Sequence, residues 1–359
     1  MWKFISKLLL FLLLFLISNI IIKLYDTNSN IDVLSDKFDY FAKHKDEYNV
    51  VFVGSSSFYR HIVPAVFDNI LNTNDYSIKS FNFGVYGMCP PESYFVTKKI
   101  LAMNPQKLHW VILELDNFFT HINERNLSAR RSVYWHDLEQ TLWVSGAILT
   151  SDDSTLMKIT DLYNHVMLFC KNLTNAGRGP SLIMSLLKQN KAEKNNKRSI
   201  GPDLDGYMPL ENEKSAHFLR RHKNFIEKKN YYKERVALLL ERKGMKIDLT
   251  NDPINYFERK AFLTIINYIK DKGARPILLM PPRLLDITIK RTKRVLQLYE
   301  KGVVTDLISF HDHNKYPMLY NIENRFDERH LNKRTAREFT RLVAKNFMAL
   351  IASQSKNLH

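Results

Sequence analysis

The amino-acid sequence predicts an α/β protein built on a parallel sheet and carried behind an apolar N-terminal helix. Three observations lead there. Short apolar runs recur at residues 50–53, 110–115 and 276–280, too short for helices and ending in turn or polar residues. Between these runs lie stretches with apolar residues at helical spacing, so strand and helix alternate as crossover-linked parallel strands require. Ahead of them all, residues 8–22 form an apolar run broken only by Ser18 and Asn19. With Phe4 and Ile5 before it and Leu24 behind, it reaches about the twenty residues that cross a bilayer.

The N-terminal run also sets an expected address. Lys3 and Lys7 precede it, which favours a cytoplasmic amino end. Ile20-Ile21-Ile22-Lys23-Leu24-Tyr25 follows it, without the small residues a signal peptidase needs. Residues 1–25 are therefore expected to be an uncleaved signal anchor in the cytoplasmic or inner membrane. The body would then lie outside the cytoplasm, periplasmic or wall-facing; a cleaved signal with an unusual site is the alternative. By itself the formal charge of +16 would suit nucleic acid, an anionic membrane or an acidic polymer; that address argues against nucleic acid and leaves phosphate-rich lipids or wall polymers.

Composition narrows the class further. Apolar content of 45% with 12% aromatics is that of a globular chain, and 359 residues suffice for one large α/β domain or two smaller ones. Cys89 and Cys170 are too few for a disulfide scaffold, and both pairing and two separate thiols remain open. No Cys and His spacing resembles a zinc site, and neither a metal nor an organic cofactor is expected. Asn126-Leu127-Ser128 and Asn172-Leu173-Thr174 match the glycosylation sequon by letter.

Taken in order, residues 26–48 read as a polar linker merging into a first helix. The opening strand, 50–53, runs into Gly54-Ser55-Ser56-Ser57, and 58–70 reads as a loop and helix. Residues 77–82 form a second strand. An irregular loop follows, Phe83-Gly84-Val85-Tyr86-Gly87-Met88-Cys89-Pro90-Pro91. Residues 92–103 carry Tyr94, Phe95, Ile100 and Leu101 at helical spacing, and Asn104-Pro105 stops them. The third strand, 110–115, ends in Asp116-Asn117, closing the first part of the α/β domain at 49–117.

From 118 to 255 the pattern changes to a mainly helical, basic insertion. Helical stretches are expected at 181–187 and 231–240, an asparagine-rich basic segment at 188–198, and a turn-rich loop at 201–207. Arg130-Arg131, Arg220-Arg221-His222-Lys223 and Lys228-Lys229 are either a solvated face or a surface for anionic glycan or phospholipid. The α/β rhythm returns over 256–359. A helix at 257–272 carries Ala261, Phe262, Ile265, Ile266 and Ile269 on one stripe, with Gly273 where a C-cap belongs. Strand 276–280 is cut by Pro281-Pro282; helix 284–300 is basic outside (Lys290, Arg291, Lys293, Arg294); strand 307–310 follows. The last helix bears Ala336, Phe339, Val343 and Phe347, with Asn332 placed to cap it.

Two stretches carry chemistry. Strand–Gly–Ser–Ser sets a hydroxyl in a tight turn at the carboxyl edge of the sheet, where open α/β folds bind ligands; the same turn also serves as a plain helix cap. Asp327 and His330 lie three apart in Asn324-Arg325-Phe326-Asp327-Glu328-Arg329-His330-Leu331-Asn332. The carboxylate can fix the imidazole tautomer and leave the other nitrogen to take a hydroxyl proton, as acyl transfer requires. The alternative is that Asp327 caps the last helix and His330 packs beneath it.

The order of these blocks resembles the SGNH/GDSL hydrolase superfamily: Gly54-Ser55-Ser56 after the first strand, Gly84 after the second, Asp327 and His330 before the last helix. The likeness spans about 49–117 and 257–347. It implies a flavodoxin-like three-layer parallel sheet, SGNH hydrolase-like, with Ser56 as nucleophile, His330 as base and Asp327 as its orienter. It implies oxyanion donors at Gly84 and at the third block, where strict alignment puts Asp116 in the place of the family's asparagine and a one-residue shift offers Asn117. A carboxylate there would repel an oxyanion. The anchor and the Gly-Ser-Ser variant look most like the membrane-anchored branch. That branch holds DltD-like proteins and SGNH-like partners of membrane-bound O-acyltransferases. The resemblance thus implies a serine esterase or O-acyltransferase acting on acylated envelope glycan or polymer without a cofactor. The alternative is a catalytically degenerate accessory protein for a membrane acyltransferase or an anionic wall polymer.

Overall fold

Four consecutive residues buried on both faces, Val50–Val53, make β1, which sits inside the sheet. The computed structural model describes residues 2–25, 32–175, 199–241, 254–284 and 293–355. The expected helix at 181–187, the basic segment at 188–198 and the first part of the helix at 284–300 fall largely outside them.

The chain opens with α1 (Trp2–Tyr25), apolar and long enough to cross a membrane, with most of its described side chains exposed. α2 (Asp32–His44) precedes β1. Then come α3 (Ser56–His61), α4 (Pro64–Asn72), β2 (Ser80–Asn82), α5 (Glu92–Ala102) and β3 (Trp110–Glu114). The insertion contributes α6 (Glu124–Leu127), α7 (Arg130–Trp135), α8 (Leu138–Leu149), α9 (Thr155–Thr174), α10 (Ala216–Glu227) and α11 (Lys229–Glu241). Among its described residues there is no strand. The second part of the α/β unit is α12 (Tyr256–Asp271), β4 (Arg275–Met280), α13 (Lys293–Glu300), β5 (Leu307–Ser309), α14 (Pro317–Tyr320) and α15 (Lys333–Ser355).

Among the described residues the five strands are all parallel, in the order β2-β1-β3-β4-β5, the order of doubly wound sheets whose ligand crevice opens between β1 and β3. Alternate residues feed opposite faces, as the pleat demands. Val51, Val53, Val111 and Leu113 pack with Phe38, Phe41, Ile265 and Ile269 on one side. Val50, Phe52, Ile112 and Ile277 pack with Phe67, Phe339, Val343 and Phe347 on the other. Helices thus cover both faces in three layers, and each fully buried aliphatic or aromatic side chain contributes about 1.5–3 kcal/mol.

Two elements differ from expectation for local reasons. β2 begins at Ser80 rather than at 77, because the Asn72 side chain takes both main-chain groups of Ile78, at 2.7 and 3.0 Å. The helix after β1 begins at Ser56 itself, since the Ser55 hydroxyl accepts from the Ser57 amide and caps it at once. Asn332 caps α15 as expected, accepting from the Thr335 amide at 2.9 Å.

Candidate active site

The turn after β1 is held from below. A side chain on Gly54 would meet the Glu114 carboxylate at 2.6 Å and the Phe58 ring at 2.8 Å, so only glycine fits. Glu114, the last residue of β3, accepts from the Ser55 amide at 2.5 Å and from the Ser55 hydroxyl at 3.0 Å. These bonds fix the first turn of α3 and present Ser56 at the carboxyl edge of the sheet. Ser55 also takes the next amides of that helix, Ser57 on its hydroxyl and Phe58 and Tyr59 on its carbonyl.

The segment before α15 supplies the other half. His330 Nδ1 lies 2.9 and 3.0 Å from the two Asp327 carboxylate oxygens, and His330 Nε2 lies 2.9 Å from Ser56 Oγ. An ionised carboxylate only accepts, so Nδ1 carries the proton and Nε2 is left to accept the Ser56 O–H. Asp327 also accepts from the Arg329 amide at 2.8 Å and the His330 amide at 2.9 Å. Arg221 pairs with its second oxygen at 3.1 Å. Burial alone would raise this carboxyl, yet His330, Arg221 and the Arg329 amide together hold it well below the usual carboxylate range. Asp327 and His330 are both buried.

Ser56 and His330 open onto a cavity of about 740 Å³, bordered also by Asp116, Arg60, Arg131 and Arg283, a volume typical of a small-molecule site. The arginines are balanced one by one. Arg60 pairs with Glu213 at 2.6 Å and Arg131 with Glu92 at 2.7 Å. Arg283 donates to Glu114 at 3.1 Å and to Asp116 at 3.3 Å. Burial, opposed by Arg283 and reinforced by Asp116, pushes the Glu114 carboxyl up to about 7.

The structure therefore brings Ser56, His330 and Asp327 together and leaves two expected donors apart. Gly84 does not border the cavity; its amide is bonded at 2.7 Å to the Asn82 side chain. That same Asn82 donates to the carbonyls of Phe58 and Ile62, at 2.7 and 2.8 Å, tying the loop to α3. A Cβ at Gly84 would lie 2.2 Å from the Tyr59 nitrogen, so the glycine is there for close backbone approach. Asn117 does not border the cavity either: its amide donates to Asp116 at 2.9 Å, and its Oδ1 is buried with no hydrogen-bond partner among the described residues. Asp116 is the third-block residue that reaches the cavity wall.

Sequence reasoning missed Glu114, Arg283 and Arg221. The available signal was a carboxylate closing an otherwise apolar strand, for which nothing nearby offers a partner. It also missed Lys37, fully buried in α2, whose ammonium donates to the carbonyls of Asn82, Gly84 and Gly206 at 2.7–2.8 Å. Cys89 and Cys170 are both free thiols: Cys89 borders the cavity beside Asp116, and Cys170 is exposed on α9. The Asn172 side chain is buried and donates to the carbonyls of Val133 and Tyr134, which removes it as a glycosylation acceptor. Among the described residues, no three His, Cys, Asp or Glu side chains converge to hold a metal ion. No family model matches the sequence, and no curated protein matches it.

Proposed function

We propose that this chain is a membrane-anchored, extracytoplasmic serine esterase or O-acyltransferase of the SGNH-like type, acting on acylated envelope glycan or polymer. The observation that carries the reading is the hydrogen-bonded series Asp327–His330–Ser56 on the wall of a cavity at the β1/β3 crevice. His330 Nε2 takes the Ser56 proton as Oγ bonds to the acyl carbon, and Asp327 steadies the imidazolium. The tetrahedral adduct collapses as His330 returns that proton to the departing alcohol, leaving an acyl-serine. Water, or a glycan or polyol hydroxyl, then gives its proton to His330 as its oxygen bonds to the acyl carbon; the bond to Ser56 Oγ breaks and His330 returns that proton to Oγ. α1 supplies the anchor, and a membrane-bound O-acyltransferase is a partner compatible with it.

The test is covalent labelling by a fluorophosphonate. The wild-type chain is expected to label at Ser56, and Ser56→Ala to lose the label with its fold intact; full labelling of Ser56→Ala rules the assignment out. A second reading, an accessory or binding protein that keeps the fold without the chemistry, is favoured by two observations. The Asp116 carboxylate borders the cavity, and the Gly84 amide is bonded to Asn82. It predicts no labelling of the folded wild-type chain.

A further inference from the structure

Helix α9 is inside out. Its inward side carries Asp161, His165 and Asn172 around one buried apolar residue, Leu168, with Leu162 packed beside the core and Asn175 as the cap; the three polar residues and Asn175 are all buried. Leu156, Ile159, Tyr163, Val166, Cys170 and Leu173 face outward. These six recur every three or four residues, one continuous stripe along a helix of 20 residues, about 30 Å long. The contrast is sharp: Leu156 is 75% and Ile159 61% exposed, whereas Asp161 is 4% and His165 0%. α8 adds Leu138, Leu142 and Leu149 to the exposed apolar surface.

The inward polar groups are bonded, so the helix cannot roll over to hide its stripe. His165 donates from Nε2 to the Thr120 carbonyl at 2.8 Å and meets His136 Nε2 through Nδ1 at 2.8 Å. Asp161 pairs with His121 at 2.8 Å, and Asn172 donates to the Val133 carbonyl at 2.8 Å. Turning α9 would break each of these bonds in order to bury apolar surface. A helix that hides polar side chains and displays apolar ones is suited to an apolar medium.

We propose that the α8–α9 hairpin lies on a lipid bilayer, with the outward stripe of α9 sunk into the boundary between headgroups and acyl chains. The link to α1 identifies lipid as the occupant. Asn175, which ends α9 in the left-handed conformation (φ 52°), donates to the Asn19 carbonyl at 2.9 Å and to its side-chain oxygen at 3.1 Å. Asn19 lies within the apolar run of α1, about one turn before Lys23. An α1 that crosses a bilayer therefore holds the end of α9 at the depth of the bilayer's outer edge. Asp152 and Asp153 in the connecting turn exclude insertion tip first, so the hairpin lies flat, as interfacial helices do. Lys158 and Lys171, half-buried on α9, have the reach to extend from its flanks toward headgroups. The proposal shares the anchor with the functional reading and needs no chemistry at Ser56.

The test uses the full chain, purified and reconstituted alone into vesicles of phosphatidylcholine and phosphatidylglycerol. An environment-sensitive fluorophore is attached to the native Cys170 in a Cys89→Ala background. Parallel samples carry it through Ile159→Cys, and through Lys301→Cys at an exposed control position, with Cys170→Ala. The Cys170 and Ile159→Cys probes should emit to the blue and lose intensity to brominated acyl chains. The Lys301→Cys probe should lose intensity to aqueous iodide alone. If Cys89→Ala does not fold, labelling the unaltered chain gives the same readout, because Cys89 is the less accessible thiol. Stripe probes quenched by iodide as fully as the control, and untouched by brominated lipid, overturn the proposal in favour of a protein partner or open water.

Discussion

Glu114 sits beneath Ser55 and accepts from both its amide and its hydroxyl, at 2.5 and 3.0 Å, so the end of β3 holds the turn that presents Ser56. Glu114→Ala removes both bonds and leaves Arg283 with one carboxylate fewer in a buried setting. Its expected cost is about 2–4 kcal/mol in urea unfolding, with slower labelling of Ser56. Glu114→Gln keeps an acceptor for the amide and should lose less. An unchanged unfolding midpoint in Glu114→Ala contradicts this role.

Two glycines of one loop should respond differently to alanine. Gly84→Ala drives a methyl group against the Tyr59 main chain, at 2.2 Å from its nitrogen and 2.7 Å from its Cα, and neither atom can swing aside. A loss of at least about 2 kcal/mol is expected. Gly87→Ala meets nothing nearer than an Arg131 nitrogen at 3.8 Å; its cost is the strain of a positive φ of 68°, about 1 kcal/mol. Equal losses in denaturant titrations would argue against the close-approach account of Gly84.

Stability should depend on pH through two buried groups of opposite sign. His61 accepts from the Leu331 amide at 3.0 Å, and burial, with His330 and Arg325, keeps it well below its ordinary value of 6.5. The unfolded chain takes up that proton below about pH 6.5, so this contribution is lost as pH falls, by at most about 1.4 kcal/mol per unit. Glu114 behaves oppositely, because its carboxyl is raised from 4.5 to about 7. Its contribution is fully present below 4.5 and is lost as pH rises through the raised value. The stability difference between wild type and His61→Gln, followed from pH 8 to 5, should move against the wild type. That between wild type and Glu114→Gln should move toward it. The same slope in both comparisons would contradict the assignment.

Much of the fold was legible because strands buried on both faces read as unbroken apolar runs. Val50–Val53 and residues 276–280 stand out for that reason, and the stripe on Tyr256–Asp271 for its period. Ser56, Asp327 and His330 stood out because their residue types sit at strand ends and in one short turn. The fate of an amide is different. Gly84 and Asn117 look free in sequence, yet the Gly84 amide goes to Asn82, a choice made by side-chain geometry in three dimensions. Glu114 and Arg283 are 169 residues apart and meet only because β3 and the segment after β4 share one sheet edge. The inversion of α9 was hidden for the same reason, since which side of a helix is inward depends on what packs against it.

The central claim is that Ser56 Oγ becomes acylated with His330 as its base. Its most direct measurement is intact-mass and peptide analysis of the purified chain after brief exposure to an activated acetyl ester. An acetyl group on the peptide containing Ser56 is expected in the wild type. It should be absent in Ser56→Ala and His330→Ala, and formed about 10³- to 10⁴-fold more slowly in Asp327→Asn. Ester turnover with no adduct at Ser56, or an adduct that survives in His330→Ala, would contradict the account.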